Sequence, residues 1–290
     1  EDTAPAGIAF NINGTKMFVV GSSSDSVYSY TLSTPFDLST ASYDSVSFDV
    51  GSEDITPEGI AFNTDGTKMF VVGSSSDSVH SYTTNVFSTY ANPLSSVPAN
   101  VYDLSINQNI VLSNSPETAF VSDKAFDVLS YSTDTNTVDV TLGYDNDSDA
   151  IVEINDSVVL QRGFDLSTAS YDGVSFDVSS EESGPQGIAF NPDGTLLFVR
   201  GASSTSVYSY TLPSGFDLSS ALYDNVSFSV GSEASNPQGI AFNPDGTKMF
   251  VVGYDSDSVH SYTLSTPFGI SSAAYDNVAF DVSSEDSFPT

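Results

Sequence analysis

"GIAFNINGTKMFVVGSSSDSVYSYTL" occupies residues 7–32, and nearly the same text returns from Gly59, from Gly187 and from Gly239. The spacing is regular, with 52 residues from Gly7 to Gly59 and 52 again from Gly187 to Gly239. A fixed period of this length marks a repeat architecture, in which one small unit cannot bury its apolar face without its neighbour. Each unit holds four apolar stretches, in the first copy "GIAF", "KMFVV", "SVYSYTL" and "VSFDV". In the last of these, Val46, Phe48 and Val50 alternate with Ser47 and Asp49, the period of a half-buried strand.

The stretches are separated by turn chemistry. "NING", "NTDG" and "NPDG" place Gly where a tight hairpin needs positive φ, and "GSSSDS" forms a second polar loop. Each unit therefore predicts a four-stranded antiparallel meander, and no segment shows helical periodicity. A lone sheet of about 50 residues leaves both faces uncovered. Several in sequence bury them by packing around an axis, which is an all-β fold, a β-propeller; the alternative is a row of separate β modules.

The count of units predicts one domain of six blades, at residues 1–58, 59–108, 109–136, 137–186, 187–238 and 239–290. The third and fourth are read as decayed repeats, irregular at 133–146. Residues 109–132 align with 7–31 after one deletion, placing Ile110 on Ile8, Phe120 on Phe18 and Tyr131 on Tyr30. "EDSFP" at 285–289 echoes "EDTAP" at 1–5, so each blade is expected to be contiguous and the ring to close by packing. The chain starts at Glu1 without methionine or signal peptide, as a mature form or a fragment would.

Composition removes several function classes. The 290 residues carry 38 acidic and six basic side chains, a net charge of −32. No basic patch can form to neutralise phosphates, which excludes nucleic acid and anionic membrane surfaces as expected partners. No apolar run is long enough to span a bilayer as a helix, so no membrane insertion is expected. Cysteine is absent, so there is no disulfide framework, thiolate metal site or thiol nucleophile.

The text "GIAFNPDGTKMFVVG…DSVHSYTL" resembles the YVTN-type β-propeller repeat and its gluconolactonase-like and NHL-type relatives. The resemblance implies a propeller fold whose motif residues are structural, with any binding or catalysis left to variable channel and loop residues. The metal-dependent lactonases among those relatives gather carboxylates, Asn and His in the central channel. Here "GIAF", the expected channel strand, offers no such group, so that activity is not expected. The long loop "STPFDLSTASYDS" departs from the family pattern and is itself repeated. Long near-identical acidic repeats of this kind resemble surface or fibre proteins of aquatic bacteria and their phages.

His80 and His260 stand where Tyr28 and Tyr208 stand in other units, which reads as repeat drift in a structural position. "DNDSDAIVEIND" at 145–156 places Asp145, Asp147 and Asp149 at alternate positions suited to Ca²⁺, although Ala150 replaces the usual turn glycine; an ordinary hairpin explains it equally. Asn13, Asn146, Asn155 and Asn225 begin glycosylation sequons in expected surface turns.

In a meander, alternate loops emerge on opposite faces. One face is expected to gather carboxylates such as Asp25, Glu53, Asp54, Asp77, Glu181 and Glu182. The other gathers Lys16, Lys68 and Lys248 with Phe36, Phe164, Phe216 and Phe268. Either the phenylalanines tuck under their own loops, or the unlike faces stack head-to-tail, the contact that makes filaments. The function expected from these features is a non-enzymatic extracellular scaffold: a fibre, filament or adhesin module on a cell surface or virion, self-associating or joined to neighbouring fibre proteins. A glycan- or ligand-binding propeller and a metal-dependent lactonase-type hydrolase are the alternatives.

Overall fold

The Asn-x-Asp-Gly-Thr turn shows why each repeat starts as a hairpin. Asn63 Oδ1 accepts from the Lys68 backbone N–H at 2.9 Å, and its amide donates to Thr67 Oγ1 at 3.1 Å. Asp65 accepts from both Thr67 N and Thr67 Oγ1, and Gly66 takes φ +68°. The same bonds recur around Asn191 and Asn243. In the first unit Asn13 replaces the aspartate and makes its two bonds to Thr15.

Our computed structural model describes residues 2–84, 86–90, 110–112, 127–132, 137–141, 158–234 and 236–284. Blade 1 comprises β1 Pro5–Phe10, β2 Lys16–Gly21, β3 Ser26–Leu32 and β4 Ala41–Asp49, paired in that order. Blade 2 begins with β5 Pro57–Phe62, β6 Lys68–Gly73 and β7 Ser78–Thr83. Next in the chain come β8 Val86–Tyr90, β9 Ile110–Leu112, β10 Asp127–Ser132, β11 Thr137–Thr141 and β12 Val158–Arg162. The fourth strand of blade 2 is β13, Ser170–Asp177, antiparallel to β7 with Ser170 opposite Thr83 and Asp177 opposite Ser78. Blade 3 runs β14 Pro185–Phe190, β15 Leu196–Gly201, β16 Ser206–Thr211 and β17 Leu222–Ser229. Blade 4 runs β18 Pro237–Phe242, β19 Lys248–Gly253, β20 Ser258–Leu264 and β21 Ala273–Asp281.

The fold is thus an all-β propeller of four-stranded antiparallel blades, and the described residues hold four blades where the repeat count predicts six. The correction has a specific cause. "GFDLSTASYDGVSFDV", assigned from sequence to a blade at 137–186, supplies the missing last strand of the unit at 59–108. Blade 2 is therefore interrupted in sequence. Most of 109–157, expected to form decayed blades, lies outside the described residues.

The segment Val86–Arg162 is a compact unit of its own. Its described strands form a three-stranded sheet in the order β8-β12-β9 and a β10–β11 hairpin. Arg162 pairs with Val86, so the two ends of this segment lie side by side.

Within the propeller unit, burial follows the faces of the sheets. One face of blade 1 places Phe18, Val20 and Val27 against Met69, Val71, Tyr82 and Leu166 of blade 2. Phe70, Val72 and Val79 of blade 2 meet Leu197, Val199, Tyr210 and Leu218 of blade 3. Phe198 and Val207 of blade 3 meet Met249, Val251, Tyr262 and Ile270 of blade 4. Each fully buried Phe, Val, Leu or Met side chain contributes about 1.5–3 kcal/mol. Because the sheets have two apolar faces, no blade is stable alone, and repetition is the means of covering both.

The first strands line the axis, β1 beside β5, β5 beside β14, and β14 beside β18. A Cβ on Gly59 would stand 2.7 Å from the Gln186 carbonyl oxygen, so the repeated glycine of "GIAF" is what lets these strands approach. No comparable packing joins β18 to β1 among the described residues, and the ring closure expected from the terminal echo is not present there.

Candidate functional site

The most repeated polar constellation sits at a bulge in the fourth strand of every blade. Between Ser29↔Val46 and Tyr30↔Tyr43 the register slips, and Asp44 and Ser45 bow out of the ladder. Ser45, Gly173, Asn225 and Asn277 occupy the second bulge position with φ between +56° and +72°, which accounts for the Ser/Gly/Asn choice there. The bulge aims the preceding aspartate back across the sheet. Asp44 accepts from Lys16 Nζ at 2.7 Å, Ser29 Oγ at 2.5 Å and Thr31 Oγ1 at 2.6 Å. Asp172 accepts from Lys68, Ser81 and Thr83 at 2.5, 2.7 and 2.5 Å, and Asp276 from Lys248, Ser261 and Thr263.

In blade 3 Leu196 replaces the lysine, and Asp224 keeps only Ser209 and Thr211 of that set. Burial works against the charge on Asp44 and Asp172, yet the hydrogen bonds win and hold both below the usual carboxylate range. At Asp276 the bonds from Ser261, Thr263 and Lys248 lower the value to about 2. The pairing of "SYT" with "YD" in every unit was the signal for this network, and composition-level reading of the loops missed it. It also explains why Lys16, Lys68 and Lys248, expected to form a basic face, are each ion-paired inside their own blade.

Several loop carboxylates are similarly committed. Asp54 is buried; it accepts from Ser75 Oγ, from Ser76 N and Oγ, and from Thr56 N. Burial opposes its charge, but these bonds keep its pKa low. Asp2 accepts hydrogen bonds from Ser23, Ser24 and Ala4, and Glu182 accepts from Ser203, Ser204 and Gly184. Glu53 and Glu233 accept from the buried hydroxyls of Tyr82 and Tyr262 at 3.3 Å. Asp25, Asp77 and Asp257 are turn residues with φ of +50°, +48° and +45°. Burial and the neighbouring charges of Asp177, Glu182 and Asp54 raise the pKa of Asp77.

Three of the four phenylalanines tuck in, and Phe36 of blade 1 is 59% exposed. Phe164 lies over Gly66, whose Cβ would collide with the ring, and packs 5.2 Å from the Phe62 ring and 6.1 Å from that of Phe18. Phe216 and Phe268 repeat these contacts at the next two interfaces. The histidines are structural substitutes for tyrosine. Tyr28 Oη donates to Ser24 Oγ at 2.9 Å; His80 Nε2 pairs with Ser76 Oγ at 2.9 Å and His260 Nε2 with Ser256 Oγ at 2.8 Å. Burial lowers the pKa of both imidazoles.

A central cavity of about 280 Å³ is lined chiefly by the four "GIAF" strands. The residue before each glycine reaches it: Ala6, Glu58, Gln186 and Gln238. Burial raises the pKa of Glu58, against a lowering contribution from Ser74 and Arg200. Arg200 occupies the place of Val20 and Val72 and is fully buried, its Nη2 donating to Gln186 Oε1 at 2.8 Å and to the Gln238 carbonyl. Burial pulls the guanidinium down to about 9, which leaves it charged at neutral pH. The sequence reading passed over both features. Their signals were the variable letter before an invariant glycine and "FVRG" where other units have "FVVG".

Of the remaining candidates, Asn13 is held in its hairpin by Thr15, while Asn225 is exposed at the bulge of β17. Asp145, Asp147, Asp149, Asn146 and Asn155 lie outside the described residues. Among the described residues, no cluster of three or more His, Asp or Glu has metal-binding geometry, and no helix is long and apolar enough to cross a membrane.

No protein-family model and no curated protein matches the chain. Solved structures do. A functionally unknown protein from Desulfotomaculum acetoxidans is 11% identical with a TM-score of 0.46, the match covering 97% of this chain and 57% of that one. A periplasmic gluconolactonase from Pseudomonas aeruginosa is 14% identical with a TM-score of 0.41, covering 96% and 70%. Sqt1 from Chaetomium thermophilum is 15% identical with a TM-score of 0.42, covering 100% and 49%. The chain spans from half to seven tenths of the length of these proteins, and its likeness to them is one of fold.

Proposed function

We propose that this chain is a non-enzymatic repeat-propeller scaffold, a module of an extracellular fibre, filament or adhesin whose partners are copies of itself or neighbouring fibre proteins. The observation that carries this reading is where the repeated polar groups spend their hydrogen bonds. Lys, Ser, Thr and Asp of the bulge network, Asn, Asp and Thr of the hairpin, and the loop carboxylates Asp2, Asp54 and Glu182 hydrogen-bond within their own blade or its adjoining loop. A reaction centre needs unlike groups converging on one point, whereas a scaffold reuses the same groups at every point. The repeats follow the second pattern.

A ligand-binding reading has one observation in its favour. The unlike residues Glu58, Gln186 and Gln238 line the central cavity, and Arg200 donates to Gln186. The deciding experiment is incubation of the purified chain with a lactone panel plus Ca²⁺ or Mg²⁺, beside a glycan array. The scaffold reading expects neither turnover nor glycan capture. Turnover or capture abolished by Glu58→Gln would overturn it and establish the cavity as the site.

A further inference from the structure

The three blade interfaces share one pattern, and both ends of the arc repeat it without a partner among the described residues. On the side of a blade facing its successor, Phe18, Phe70 and Phe198 are each fully buried; the equivalent Phe250 of blade 4 is 36% exposed. Phe48, Phe176 and Phe228 each set a ring edge against the tyrosine of the next blade, at 5.5, 5.2 and 5.6 Å. Their equivalent, Phe280, is 69% exposed, and Val278 beside it is 55% exposed.

The opposite side behaves the same way. Leu166, Leu218 and Ile270 cap the preceding blade and are at most 3% exposed, whereas Leu38 of blade 1 is 60% exposed. Ile8 and Phe36 accompany it at 54% and 59%. Contiguous apolar side chains at this exposure mark an interaction surface. Here its complement is already known, because blade 1 presents the half of the interface that blade 4 lacks.

We propose that a second copy of this chain covers these faces, blade 4 of each copy packing on blade 1 of the other. Two copies close one ring of eight blades, the upper end of the common four-to-eight range; three would exceed it. The two seams are related by a two-fold axis, so the assembly closes at two copies. The contact runs edge to edge through apolar groups, unlike head-to-tail stacking of faces through charge. The two therefore respond oppositely to salt: each copy carries −32, so added salt screens repulsion between copies and strengthens an apolar contact, while it weakens a charge-driven one.

The test is sedimentation equilibrium of the full chain over a range of concentration and salt, with Leu38→Asp and Phe280→Asp variants. The expected mass is twice the 30.6 kDa monomer, with dimerisation strengthening as salt rises. Each substitution is at an exposed position, so thermal melts of the dilute, unassociated monomer should match the unmodified chain while self-association weakens by at least about thirtyfold, the effect of losing an interface hot spot. Mixing the two variants should partly restore dimers, since Leu38→Asp keeps an intact blade 4 and Phe280→Asp an intact blade 1. A monomer throughout, leaving these faces to further repeats, would overturn the proposal. So would a dimer indifferent to both substitutions, or a mixture no more associated than its components.

Discussion

Replacing Asp172 by Asn isolates what the bulge network contributes, because shape is kept and charge removed. In blade 2 the carboxylate takes three donors, Lys68 Nζ, Ser81 Oγ and Thr83 Oγ1, and its side chain is only 13% exposed. Asparagine offers one acceptor oxygen where there were two. It turns the other position into a donor facing a donor, so one bond is lost and the others drop from charge-assisted to neutral strength. Charge-assisted bonds are worth about 1.5–3 kcal/mol and neutral ones about 0.5–1.5. Lys68 is partly solvated, so its ion pair adds at most about 1 kcal/mol. The expected loss is about 2–3 kcal/mol.

Asp224→Asn in blade 3, where Leu196 replaces the lysine, provides the internal comparison and should lose about 1–2 kcal/mol. Urea unfolding followed by circular dichroism at pH 7 measures both. An Asp172→Asn variant within about 0.5 kcal/mol of the unmodified chain, the range of an ordinary surface substitution, would refute the reasoning. The pH dependence has a definite sign: the folded pKa is depressed, so this contribution is complete above the unfolded value and disappears as pH falls through the folded one. Asp172→Asn should flatten that acid limb.

Other perturbations follow from single residues. Gly66→Ala combines φ +68° with a collision against the Phe164 ring and should cost about 1–3 kcal/mol in a thermal melt. Gly173→Asn should be neutral or slightly stabilising, since Asn225 and Asn277 already adopt its φ and nothing lies within 4 Å; a large loss would contradict the bulge geometry. For His80 and His260 burial lowers the folded pKa below 6.5, so stability is full above that value and falls as pH drops through it. The double variant His80→Tyr and His260→Tyr should abolish this mid-range pH dependence while keeping the bond to the loop serine that Tyr28 makes, and an unchanged pH profile would argue against it.

The meander, the hairpins and the face-to-face packing were legible because each rests on local chemistry: Asn-x-Asp-Gly-Thr turns and strands alternating every second residue. The blade count was not, because a short β-branched or aromatic stretch looks the same whichever sheet it joins. The residues held a better clue. The unit from Gly59 lacks "FDLST", and the unit assigned to 137–186 has it but no "GIAF". Phe164 needs a hairpin glycine to lie on, and its ring lies over Gly66. Glu58 and Arg200 were missed because strand position alone does not reveal which variable residue points at an axis.

Four residues separate Thr211 from Phe216 in blade 3, whereas Thr83 and Phe164 would be separated by three if residues 86–162 were absent. Replacing that segment with a single serine therefore restores the ordinary loop, and it tests the central claim that β13 completes the sheet begun by β5. The measurement is the urea unfolding curve of the shortened chain. The account predicts a β-sheet spectrum and one cooperative transition with the midpoint of the propeller unit in the full chain. An unfolded product, or a transition that no longer depends on Asp172, would contradict it.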